Sequence, residues 1–190
     1  MNTRTNHRLS FWAILALVGV LALTIASPSF AQGVVTGTAT VTGGTLDLVA
    51  VDDPTFAETT LNGTDQTQTD SIAMSVNDFT GSGAGWNLQI TSTAFTTGSH
   101  ALANTALKIT GVGAVCDGGD CTLPTGNEIV YPFTVPADTV APAAGKFFNA
   151  EIGSGMGDFT VTPAFQLAIP ANTYAGAYES TVTITLATAP

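Results

Sequence analysis

Between Phe159 and Ile169, apolar side chains fall on one parity: Phe159, Val161, Phe165, Leu167 and Ile169, interrupted only by Pro163. Thr160, Thr162, Ala164 and Gln166 lie between them. After the turn residues Pro170-Ala171-Asn172, the side chains Tyr178, Val182, Ile184 and Leu186 share one parity, and Glu179, Thr181, Thr183 and Thr185 share the other. A period of two sends successive side chains to opposite faces of an extended strand, and a helix cannot gather that pattern into one stripe. This stretch is therefore committed to strands with one face in a core. Pro163 predicts an edge position or a bulge, because it has no N–H to give a central ladder.

The same alternation recurs upstream. Two β-branched runs, 34–41 and 45–51, are split by Gly43-Gly44. Ile72, Met74 and Val76 alternate with small polar residues into Asp78-Phe79. Trp86, Leu88 and Ile90 then alternate with Asn87, Gln89 and Thr91, after the flexible loop Gly81-Ser82-Gly83-Ala84-Gly85, in a strand that ends near Phe95. Further strands are predicted over 106–112, 128–135 and 146–152. The polar stretch 52–70, opened by Asp52-Asp53-Pro54, is the longest expected loop. Short strands punctuated by Gly/Pro turns, with no amphipathic helical period, predict one all-β domain: an antiparallel β-sandwich or a barrel-like relative of it.

Residues 1–31 read as something other than this domain. Arg4 and Arg8 precede an apolar run from Phe11 to Ile25, and Ser29-Phe30-Ala31 supplies the small residues a signal peptidase reads. The run is short for a bilayer span. A cleaved signal peptide over 1–31 is expected, with an uncleaved membrane anchor as the rival reading, leaving the domain at 32–190 and a secreted, extracellular protein. No hydrophobic tail or sorting sequence precedes Ala189-Pro190, so the expectation is non-covalent attachment, with no membrane contact after cleavage.

Charge narrows the partners. Formal net charge is −10, and beyond residue 31 only Lys108 and Lys146 stand against 14 acidic residues. Nucleic acid and anionic lipid both need Lys/Arg opposite phosphate, so neither fits. Anionic phosphate polymers would be repelled unless divalent cations bridge them. An uncharged or zwitterionic ligand, or a basic protein, fits better. With only 9% charged residues, the solvated faces are built from threonine rather than from lysine and glutamate.

Cys116-Asp117-Gly118-Gly119-Asp120-Cys121 reads in an exported chain as a local disulfide between Cys116 and Cys121. Closing so short a loop is worth roughly 2 kcal/mol in the chain-entropy model. The rival reading, a metal held by Asp117 and Asp120, has too few oxygens for calcium. No metal or cofactor is expected. Enzymatic readings lack a constellation: His100 follows Ser99 in a polar loop without a partner motif, and the glycine runs 81–85 and 153–157 match no nucleotide-binding pattern. Two acids could meet on folding as in a glycosidase, but nothing nominates which two. The chain is expected not to be an enzyme, with a secreted glycan hydrolase the remote alternative.

Four features in order across the chain resemble the WxL domain of bacterial cell-surface proteins: Gly43-Gly44-Thr45-Leu46-Asp47-Leu48; Val76-Asn77-Asp78-Phe79 leading to Trp86-Asn87-Leu88; Asp158-Phe159-Thr160-Val161-Thr162-Pro163; and the closing strand from Gly176 to Leu186. The resemblance implies non-covalent binding to the bacterial cell wall, with peptidoglycan or an associated glycan as ligand, and association with other surface proteins. One departure stands out. The family typically carries a second Trp-x-Leu near its C-terminus, where this chain has Ile184-Thr185-Leu186.

For the motif residues Trp86, Asn87, Leu88, Ile184 and Leu186 two placements stay open. Alternation with Ile90 favours Trp86 and Leu88 in the core, worth about 1.5–3 kcal/mol per side chain, while an exposed tryptophan could stack on a sugar ring. Tyr131, Phe147, Phe148 and Tyr174 are the other candidate glycan platforms, each beside turn-forming residues. Thr181, Thr183 and Thr185 form a hydroxyl ladder that is either a solvated sheet face or a polysaccharide contact. A wall-binding module leads; a structural subunit that self-assembles or pairs with other surface proteins through sheet edges is the alternative.

Overall fold

The computed structural model describes residues 36–190, so the leader predicted over 1–31 lies outside the described residues, as do Val34 and Val35. Residues 36–41 carry no strand. The 34–41 strand is thus absent over its described part, for a physical reason: residues 36–41 are half threonine, and their one large apolar side chain, Val41, is 94% exposed.

Twelve strands and no helix make up the described residues: β1 (Leu46–Val51), β2 (Gln66–Ser71), β3 (Met74–Asp78), β4 (Trp86–Thr93), β5 (Thr96–Thr97), β6 (His100–Ala101), β7 (Leu107–Cys116), β8 (Phe133–Thr134), β9 (Ala137–Asp138), β10 (Gly145–Ala150), β11 (Gly157–Ile169) and β12 (Val182–Thr188). One sheet has the order β1-β3-β11-β7-β8, with β2 also on β11; the second is β10-β4-β12, with β9 beside β4; β5 and β6 form a small hairpin. Every pairing is antiparallel except β4 with β9. The two larger sheets press their apolar sides together as an open sandwich rather than a closed barrel. Trp86, Leu88, Ile90 and Phe148 come from one sheet, and Met74, Val76, Ile109, Phe159, Val161 and Phe165 from the other.

β11 organises the first sheet. Its alternation survives intact, with Phe159, Val161 and Phe165 fully buried. Pro163 sits mid-sheet rather than on an edge, opposite Val112 of β7. On its other side β3 pairs up to Val161 opposite Met74, and β2 resumes at Ala164 opposite Ser71. The register is unbroken across the gap, so β2 and β3 are one long run interrupted where Pro163 has no N–H to offer. The bulge falls on the β7 side, between Ala164 and Phe165.

The expected loop 52–70 ends early, because residues from Gln66 onward form β2. Gln66, Gln68 and Asp70 lie opposite Ile169, Leu167 and Phe165, so they share the inward parity, and polar side chains there hide a period-two signature. Loop 52–61 bonds to two of them: Asp70 accepts the Thr55 N–H at 2.6 Å and Gln66 Nε2 donates to the Thr60 carbonyl at 2.9 Å. Of the strand predicted over 128–135 only Phe133–Thr134 is extended in a ladder. The surrounding segment instead flanks β10, with the Thr125 and Gly126 carbonyls accepting from Glu151 N–H and Asn149 Nδ2.

Candidate functional site

Trp86 opens β4 behind Gly85, whose φ of 75° and close approach to the Ala150 carbonyl suit only glycine. The indole is fully buried. It lies 5.9 Å from the Phe148 ring and 6.3 Å from Phe159 in tilted arrangements, and its Nε1 donates to the Gly155 carbonyl at 2.8 Å. Leu88 is equally buried. Asn87, on the opposite face of β4, donates through Nδ2 to the Ala189 carbonyl at 2.6 Å. Leu88 faces Leu186 directly across the β4–β12 ladder and Ile90 faces Ile184. Two motifs far apart in the chain are thus neighbours in one sheet. Ile184 and Leu186 are half-buried.

The four candidate platforms part company. Phe147 and Phe148 are buried and present no ring to solvent. Tyr131 is half-buried, donates through its hydroxyl to the Phe147 carbonyl at 2.6 Å and accepts from Asn127 Nδ2 at 3.1 Å. Burial pushes its phenol pKa up, against a smaller lowering from the Asn127 bond. Tyr174 alone is open, at 62% exposure, with its ring stacked on His100 at 3.7 Å between centroids and 11° between planes.

Tyr174 borders an open groove of about 1620 Å³. The loop 51–61 and the segment 173–184 line it, with Phe95, Leu102, Leu167 and Ile169 as its apolar part. Phe56 anchors the loop by an edge-on contact with Phe95, 6.1 Å between centroids at 72°. Asp52, Asp53, Glu58 and Glu179 supply carboxylates, Tyr178 supplies a phenol that donates to the Tyr174 carbonyl at 3.1 Å, and no lysine or arginine lines the groove. Such a surface can stack a ring and accept hydrogen bonds from hydroxyl or amine groups. The sequence marked 52–70 as a loop but not as one wall of a groove, although Phe56, alone among polar neighbours, was the available signal. The Thr181, Thr183 and Thr185 hydroxyls are on exposed residues, and Thr181 and Thr183 border the same groove.

At the other end, Cys116 and Cys121 form a disulfide with Cα atoms 5.9 Å apart. The Asp117 carboxylate accepts from Thr160 Oγ1 at 2.6 Å, and its N–H donates to the Asp158 carbonyl.

A family model described as a WxL domain, surface cell wall-binding, matches residues 19–190. The chain belongs to the WxL family. The match covers nearly the whole chain, and with it the WxL domain is placed among surface modules that bind the cell wall. No curated protein and no solved structure matches this WxL chain.

Proposed function

We propose that this WxL domain is a secreted, non-catalytic module that holds to the cell wall by taking a glycan, peptidoglycan in the first place, into the groove beside Tyr174. The observation that carries the reading is the exposure of Tyr174 at a groove rich in acceptors, while Trp86, Phe147 and Phe148 are buried. The groove exceeds the roughly 300–1,000 Å³ of small-molecule sites, and it is open as a polymer requires. Its carboxylates suit sugar hydroxyls and free amines, and they disfavour phosphate-bearing polymers. His100 is stacked on Tyr174, where it braces the platform.

The test is co-sedimentation of the chain from Gln32 onward with purified peptidoglycan. Retention of the wild type, with a loss of about tenfold in Tyr174→Ala and no change in folding stability beyond about 0.5 kcal/mol, is the expected result. Retention unaffected by Tyr174→Ala would remove the groove from the reading, and a wild type left in the supernatant would end the peptidoglycan assignment.

A further inference from the structure

The β12 strand also has an unpaired edge, which starts in the groove at Val182 and Ile184 and runs on beyond it to Leu186 and Thr188. Thr181 O accepts from Thr93 N–H at 2.9 Å, and Ala189 N–H donates to Gly85 O at 3.1 Å, on the register that sets Val182 opposite Ser92 and Thr188 opposite Trp86. In an antiparallel ladder the main-chain groups of alternate residues address opposite neighbours. Thr183, Thr185 and Ala187 therefore face β4, while Val182, Ile184, Leu186 and Thr188 turn their N–H and C=O groups outward. Among the described residues β4 is the only strand paired with β12. The apolar side is incomplete as well: Val182, Ile184 and Leu186 are half-buried, whereas Leu88 and Ile90 beside them are fully buried.

Three other edge strands of the sandwich are guarded. β1 carries Asp47 and a register shift between Val49 and Val51, β2 lies under loop 52–61, and β10 lies under the 125–131 segment. β12 has no lysine, proline or bulge, the devices that ordinarily keep an edge unpaired.

We propose that this edge receives an extended, lysine- or arginine-bearing segment of another protein as an added strand. Charge selects the occupant. Asp52, Asp53, Glu58 and Glu179 rim the groove at the start of β12 with no basic residue among its lining, and a net charge of −10 sets a second copy of the chain at a disadvantage. A basic strand satisfies the four outward pairs of main-chain groups, covers Val182, Ile184 and Leu186, and brings its cations to the acidic rim. The edge shares Val182, Ile184 and the acidic rim with the groove, but the strand addition does not require a glycan ligand, and exchange of the β12 amides reads it apart from wall retention.

Amide hydrogen exchange on the full domain tests it, with a heptapeptide of alternating valine and threonine and a lysine at each end as the probe. In the free protein the amides of Val182, Ile184, Leu186 and Thr188 exchange faster than those of Thr183, Thr185 and Ala187. The peptide slows the first set in a salt-sensitive manner, and the combined variant Asp52→Asn, Asp53→Asn, Glu58→Gln, Glu179→Gln, confined to exposed side chains, weakens this roughly tenfold. Unchanged exchange on adding the peptide overturns the proposal. Equal protection by the same peptide with glutamates in place of lysines overturns the charge argument. Protection that grows with protein concentration alone makes a second copy the occupant and overturns it too.

Discussion

Trp86 acts through what surrounds it rather than through what it shows to solvent. Its indole N–H meets the Gly155 carbonyl, and Gly155 holds a φ of 68° where a Cβ would lie 2.7 Å from that nitrogen and against the Ala150 methyl. Trp86→Phe leaves a buried carbonyl without its donor and a void beside Phe148 and Phe159, a loss of about 2–3 kcal/mol by urea denaturation, with wall retention per folded molecule unchanged. The inward parity of Trp86 was legible from Leu88 and Ile90. Its acceptor was not, because Gly155 lies 69 residues away in sequence and a backbone carbonyl leaves no trace in a pattern of side chains. Tyr131 was legible only as an aromatic near a turn, and the structure makes it a half-buried phenol with a raised pKa. Unfolding returns that phenol to its ordinary value of 10.0, so the unfolded chain releases the proton first. Its share of stability is complete below about pH 10 and is lost as pH rises beyond that point. Thermal melts across this range should fall more steeply for the wild type than for Tyr131→Phe.

Elements with one apolar face were readable, and elements that break the alternation were not. β11 and β12 were both foreseen from their period of two, and β4 likewise. β2 was hidden because Gln66, Gln68 and Asp70 occupy its inward parity, and Gln66 and Asp70 bond to the loop above them, a contact no local pattern encodes. Pro163 signalled a disturbed ladder, yet not that two collinear strands would meet there. The Cys116–Cys121 loop was readable from spacing and compartment. It pins the end of β7 where Thr122 bridges to Met156 just before β11. Replacing both cysteines with serine should lower stability by about 2 kcal/mol, measured as a shift in urea midpoint that vanishes when both proteins are compared under reducing conditions.

At the scale of the whole molecule, charge sets what the domain can approach. With a net charge of −10, walls stripped of their anionic phosphate polymers should retain at least as much protein as intact walls, and added chelator should not release it; a marked drop on stripping would point to a bridged phosphate ligand instead. The composition foretold this balance, and the all-β sandwich was legible from the strand spacing. The groove was not, since it depends on the loop 51–61 and the segment 173–184, which only the completed fold brings together. The order of the strands has a further consequence. β2, β3 and β7 all take β11 as a ladder partner, and β11 begins at Gly157. A growing chain therefore holds most of one sheet in waiting, its hydrophobic faces without a partner, until Gly157–Ile169 arrives. Such distant pairing makes assembly late, slow and all at once, and a molecule cut short before that strand keeps no smaller version of itself.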